Sequence, residues 1–162
     1  MLDGPETYSA DETHRARERL RTWSSLETTE QSLLTAIREI ADAATALDPA
    51  VRWRWRRERG VSGTCPGPYE NTAGRFVTTW SFVSDIPIAD AHWNRLLRKA
   101  TDIAANLGMD RVEIVADAPG NHDVSFTGDG GNLLRCGTFE AAVLRATTGC
   151  RLTRADLDRA AR

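Results

Sequence analysis

The residues with the most chemistry in them lie in one short stretch, ADAPGNHDV, which holds Asp117, Asn121, His122 and Asp123. A histidine beside carboxylates can ligate a metal or serve as a general base, because imidazole changes protonation near neutral pH and a carboxylate orients the ring. The same letters also spell a turn. Pro119, Gly120 and Asn121 are turn formers, and a polar side chain there often does no more than cap backbone amides. For a metal the spacing is poor: no second histidine follows at ligand spacing, and His14 and His92 fall on helical patterns elsewhere. TGDGGN, residues 127–132, is too short for a calcium loop and lacks its alternating carboxylates and terminal glutamate. No G-x-S-x-G elbow, Walker loop or dinucleotide fingerprint occurs. The expectation is a structural turn, with a weak ligand or metal loop at Asp117, Asn121, His122 and Asp123 as the alternative. No catalytic residue and no cofactor is expected.

The three cysteines are a second source of chemistry. Cys65 lies in the turn-rich SGTCPGPYENTAG and Cys150 in TTGCRLT, whereas Cys136 sits in NLLRCGT, an apolar run that reads as a strand. Two loop cysteines and one strand cysteine favour a Cys65–Cys150 bridge with Cys136 free and buried. The other reading is three reduced thiols in a cytosolic protein, with Cys150 open to reactivity if a base activates it.

A third stretch, VRWRWRRERG at residues 51–60, sets Val51, Trp53 and Trp55 against Arg52, Arg54 and Arg56 with a period of two. That is a strand with an apolar and a charged side. Later strands read in the same alternation put Glu113, Asp117, Asp123 and Arg135 on the charged side, where cross-strand ion pairs can satisfy it. An anionic ligand site is the alternative there. Nucleic acid is not expected, since the formal net charge is −2 and the aromatics and arginines face opposite sides.

These groups need elements to hold them. The chain of 162 residues, 41% hydrophobic and 27% charged, fits one domain with a sizeable core. Residues 1–10 read as a flexible leader, and residues 11–162 as a single domain. From Asp11 to Asp48 the apolar spacing is helical, with TWSSLETT as a place to break or bend, and Pro49 ends it. GRFVTTWSFVSDI is expected as a strand with Phe76, Thr78, Trp80 and Phe82 on one face. Asp90 reads as the cap of a second helix carrying Trp93, Leu96, Leu97, Ala100, Ile103, Ala104 and Leu107, stopped by Gly108. DRVEIVADA, HDVSFTGDG and NLLRCGT follow as an antiparallel meander. Residues 139–149 fit either strand or helix, the flanking residues favouring a strand, and Thr153 with Asp156 resembles a capping box for a short last helix. The fold class is α+β: an antiparallel sheet of about five to six strands with two main helices packed on one face.

Four stretches, GTCPGPYENTAG, DIPIADAHW, APGNHDV and RCGTFEAAVLRATTGCRL, in this order and spacing, resemble the LppA-like lipoproteins of mycobacteria and related actinobacteria. The resemblance implies export, lipid attachment to a cell-envelope membrane and a disulfide between Cys65 and Cys150. It implies no known reaction. No lipid-accepting cysteine of a lipobox stands in this sequence, so the anchor is expected upstream of it, with the leader as a tether. The leading expectation is a non-enzymatic envelope domain that binds a protein, lipid or glycan. The alternatives are a metal-dependent enzyme using Asp117, His122 and Asp123, and a cytosolic protein-binding, immunity-type domain.

Overall fold

The computed structural model describes residues 7–162. The leader expected over residues 1–10 lies outside the described residues up to residue 6. Ala10 already begins a helix, α1 (Ala10–Thr22), whose first turn is closed by the side chain of its N-cap, Ser9, accepting from the Glu12 amide. The helical pattern then divides at the serines: Ser25 accepts from the Thr28 amide at 3.1 Å and starts α2 (Leu26–Leu47). A fresh N-cap inside a long apolar stripe breaks it into two helices rather than bending one. α2 buries Leu33, Ile37, Ile40, Ala41 and Ala44, and α3 (Asp90–Asn106) buries Trp93, Leu96, Ala100, Ile103 and Ala104. These two helices pack on one face of the sheet, against Val124, Phe126, Leu134, Leu144 and Ala146. A short α4 (Arg154–Ala160) starts at Thr153, whose side chain accepts from the Asp156 amide.

The strands are β1 (Arg54–Arg56), β2 (Gly60–Ser62), β3 (Phe76–Thr78), β4 (Ser81–Ser84), β5 (Arg111–Ala118), β6 (Asn121–Thr127), β7 (Leu133–Thr138) and β8 (Ala142–Thr147). They form an antiparallel sheet in the order β1-β4-β8-β7-β6-β5, with β3 joined to β8 and β2 to β3. Residues 139–149 therefore supply a strand. Among the described residues eight strands replace the expected five to six because the two earliest stretches each split. Arg57, at φ 52°, ends β1. Between β3 and β4 the register moves from Thr78↔Thr147 to Phe82↔Leu144, so an extra residue is inserted at Thr79–Trp80. The Thr79 amide donates to the Ala146 carbonyl while the Thr79 Oγ1 accepts from the Ala146 amide, which keeps the ladder closed across the break. The insertion overturns the expected common face for Phe76, Thr78, Trp80 and Phe82: Phe82 packs on the core, and Trp80 is 38% exposed.

A second bulge matters more. β5 pairs Ile114 with Val124 and then Ala116 with Asp123, which leaves Val115 without a partner. Glu113 stays on the face away from the helices, and Asp117 swings to the helix side, opposite His122. The expectation that Asp117 shares a face with Glu113 and Asp123 is therefore wrong. Simple alternation cannot see an inserted residue.

Cys65 and Cys150 are bonded, with Cα atoms 5.9 Å apart and a sequence separation of 85. Closing a loop of that length stabilises the fold by about 4–5 kcal/mol in the chain-entropy treatment. Gly74 makes room for the bond, since a Cβ there would lie 2.2 Å from the Cys150 Sγ. Cys136 is free and buried, as expected, and burial pushes its thiol up to about 12. Among the described residues no helix is long and apolar enough to cross a membrane.

Candidate functional site

His122 is held at three points. Its Nδ1 lies 2.9 Å from Asp117 Oδ1 and its Nε2 lies 2.7 Å from Asp90 Oδ1. The Trp93 ring of α3 stacks on it at 4.8 Å and 10°. Asp90 also accepts from the Gly120 amide at 3.0 Å, tying the β5–β6 turn to the start of α3. That amide first, and then His122, hold the Asp90 carboxyl below the usual aspartate range. Asp90 is not the expected N-cap. Ala89 occupies that position with no side-chain bond, and Asp90, as the first helical residue, reaches across to the hairpin instead.

An imidazole makes both carboxylate contacts as a donor only when both nitrogens carry hydrogen. The two carboxylates lie on opposite edges of the ring, so they share no point that a cation could occupy. Among the described residues no three His, Cys, Asp or Glu side chains converge on such a point. Asn121 and Asp123 alternate away from His122 to the other face of β6, where Asp123 pairs with Arg135 at 2.6 Å. The four residues singled out from the sequence thus divide between two faces. Asp90, the partner that completes the cluster, lies 32 residues from His122 and carries no local signal of this role.

The face of the sheet away from α2 and α3 holds a second cluster. A hollow of about 710 Å³ is lined there by Arg56, Arg57, Asp123, Arg135, Gly137 and Arg145, with Val83, Phe139 and Val143 beside them. Arg54 stands on the same face outside the hollow and pairs with Asp85 at 2.8 Å. So the expected mixed face is only half satisfied: Arg54 and Arg135 have carboxylates, and Arg145, which the sequence reading did not single out, has none within ion-pair distance among the described residues. A smaller cleft near the disulfide, about 540 Å³, is lined by Trp23, Pro66, Pro68, Tyr69, Phe76 and Leu133.

The sequence family described as LppA, a lipoprotein confined to pathogenic Mycobacterium, matches residues 3–154. The chain belongs to the LppA family. Membership associates this LppA domain with a membrane of the cell envelope. The crystal structure of the lipoprotein LppA from Mycobacterium tuberculosis superposes with a TM-score of 0.74 at 19% identity, covering 91% of this chain and 90% of that one. A DUF4853-family protein from Actinomyces odontolyticus superposes at 0.57 with 16% identity, covering 82% and 71%. At these identities the likeness is one of fold. No curated protein matches the LppA domain.

Proposed function

We propose that this LppA domain is a non-enzymatic binding module, tethered through an N-terminal lipid anchor to the extracytoplasmic face of the cell envelope. The observation that carries the reading is the contrast across β6. The imidazole has both ring nitrogens engaged by Asp90 and Asp117, while the face away from α2 and α3 is lined by arginines. The Cys65–Cys150 bond supports an oxidising compartment, where such bonds persist.

The test is fractionation of the native host without reductant, followed by peptide mapping after alkylation of free thiols. The reading expects the protein in the envelope fraction with Cys65 joined to Cys150, and Cys136 alkylated only after unfolding. Recovery in the cytosol with three free thiols would overturn the location. A hydrolase or transferase turnover abolished by His122→Asn in a protein that still folds would overturn the non-enzymatic part.

A further inference from the structure

The face away from α2 and α3 carries two rows of side chains across the strands. In one, Arg54 faces Val83, Val83 faces Val143, Val143 faces Gly137, and Gly137 faces Asp123. In the other, Arg56 faces Ser81, and Arg145 faces Arg135, which faces Ser125 and then Glu113. The first row explains the hollow. Gly137 puts no side chain between Val143 and Asp123, so the middle of the face is open. Packing does not demand a glycine: a Cβ would meet its nearest neighbour, Asp123 Oδ1, at 3.4 Å, an ordinary contact.

The second row is electrostatically odd. Two arginines stand directly opposite each other, an arrangement that disfavours strand pairing. Asp123 answers Arg135 alone. The Arg145 Nε is buried and finds no acceptor among the described residues. Arg56 and Arg57 add two more positive groups at the rim, again with no carboxylate within ion-pair distance among the described residues. Arg57 also holds a left-handed backbone, φ 52°, where glycine or asparagine would sit with less strain. Solvated surface arginines need none of this. A set of arginines lining one hollow, one of them with a buried, unanswered N–H, is what an anion would complete.

The shape narrows the anion. Planar guanidinium forks match oxygens of phosphoryl groups two at a time, and several forks around one hollow suit a group with more than one charged oxygen. Beside them Val83, Val143 and Phe139, the last 64% exposed, offer an apolar shelf. The volume falls in the range of small-ligand sites. We propose that this hollow binds a phosphate ester, its phosphoryl oxygens on Arg56, Arg135 and Arg145 and its apolar part on Val83, Val143 and Phe139. The proposal rests on the binding-module reading and names its ligand chemistry. A soluble phosphate ester and a phospholipid head group share that chemistry.

Purified, disulfide-intact protein would be titrated with phenyl phosphate, with phenol as the uncharged control, and with phosphatidylcholine vesicles with and without phosphatidic acid. Two variants attack the site in different ways. Arg145→Gln removes the unanswered charge, and Gly137→Val fills the floor. Arg54→Gln removes an equal charge from the same face outside the hollow. The proposal expects binding weakened at least tenfold by each of the first two and unchanged by the third. If phenyl phosphate shows this pattern, a soluble ester suffices; if only vesicles holding phosphatidic acid show it, the ligand is a lipid head group. Absence of binding to both probes, or binding that Arg145→Gln and Gly137→Val leave as in the wild type, overturns the proposal. Equal weakening by Arg54→Gln does so too, since it reports surface charge alone. Because the assay needs no anchor or cell, its failure is separate from a failure of the envelope location, which fractionation reads.

Discussion

His122 and Asp123 are neighbours in the chain and belong to opposite kinds of chemistry. On the helix side, the imidazole, Asp90, Asp117 and the Gly120 amide satisfy one another, and Trp93 covers the ring. On the open side, Asp123 answers one arginine of a group and leaves Arg145 with a buried N–H and no acceptor among the described residues. The chain can satisfy a buried guanidinium when the fold requires it. Arg151, 5% exposed, donates to the Gly130 and Cys150 carbonyls at 2.8 and 2.7 Å and lies 4.4 Å over the Trp23 ring. Burial still pushes its proton affinity down. Closed polar networks therefore mark structure in this molecule, and the open one marks the surface that works on something else.

The comparison breaks most visibly at His122. His122→Ala removes a buried ring that stacks on Trp93 and bonds Asp90 and Asp117, so urea unfolding is expected to show a loss of about 1–3 kcal/mol. Binding of phenyl phosphate by the folded fraction should be unaffected. If His122→Ala unfolds like the wild type, the cluster does not stabilise the fold.

The next effect is one of pH. The Asp90 carboxyl is held below its unfolded value of 3.8, so the folded state favours its ionised form. The stability it contributes is present above that value and is lost as pH falls through the lower folded value. The urea midpoint of the wild type should exceed that of Asp90→Ala at pH 6, and the gap should narrow below about pH 4. A gap that stays constant between pH 6 and pH 2 would remove Asp90 from the account.

How much of this was legible in the sequence depends on distance along the chain. The helix stripes of α2 and α3, the meander from β5 to β8 and the separation of Cys136 from the bonded pair follow from local pattern and context. Asp117 did not end up where alternation put it, because Val115 is an inserted residue and a bulge leaves no mark in a pattern of apolar and polar letters. Thr79–Trp80 defeated the reading of the second strand in the same way. The arginine hollow was half visible. Arg56 and Arg135 were assigned to the charged face, but Arg145 sat in a stretch that fitted helix or strand, and a side chain is assigned to no face until its element is known. Asp90 looked like a cap because aspartate often is one, and its true partners lie 30 and 32 residues away.

Two smaller effects sharpen the contrast from the open side. Gly137→Val adds a β-branched side chain to a strand where the first new atom has room, so stability should stay within about 1 kcal/mol of the wild type while phenyl phosphate binding falls. Arg145→Thr relieves the cross-strand repulsion with Arg135 and removes the unanswered N–H, and is expected to raise stability by a few tenths of a kcal/mol. A clear loss of stability in Arg145→Thr, read by thermal unfolding, would make that arginine structural.

The most direct test follows side-chain NMR signals of the wild-type protein during a phenyl phosphate titration. The Arg135 and Arg145 Nε–Hε resonances are expected to shift in a saturable way while the His122 ring and Trp93 indole resonances stay in place. Saturable shifts at His122 and Trp93 with the arginine signals unmoved would contradict this, and would return the functional site to the helix side of β6.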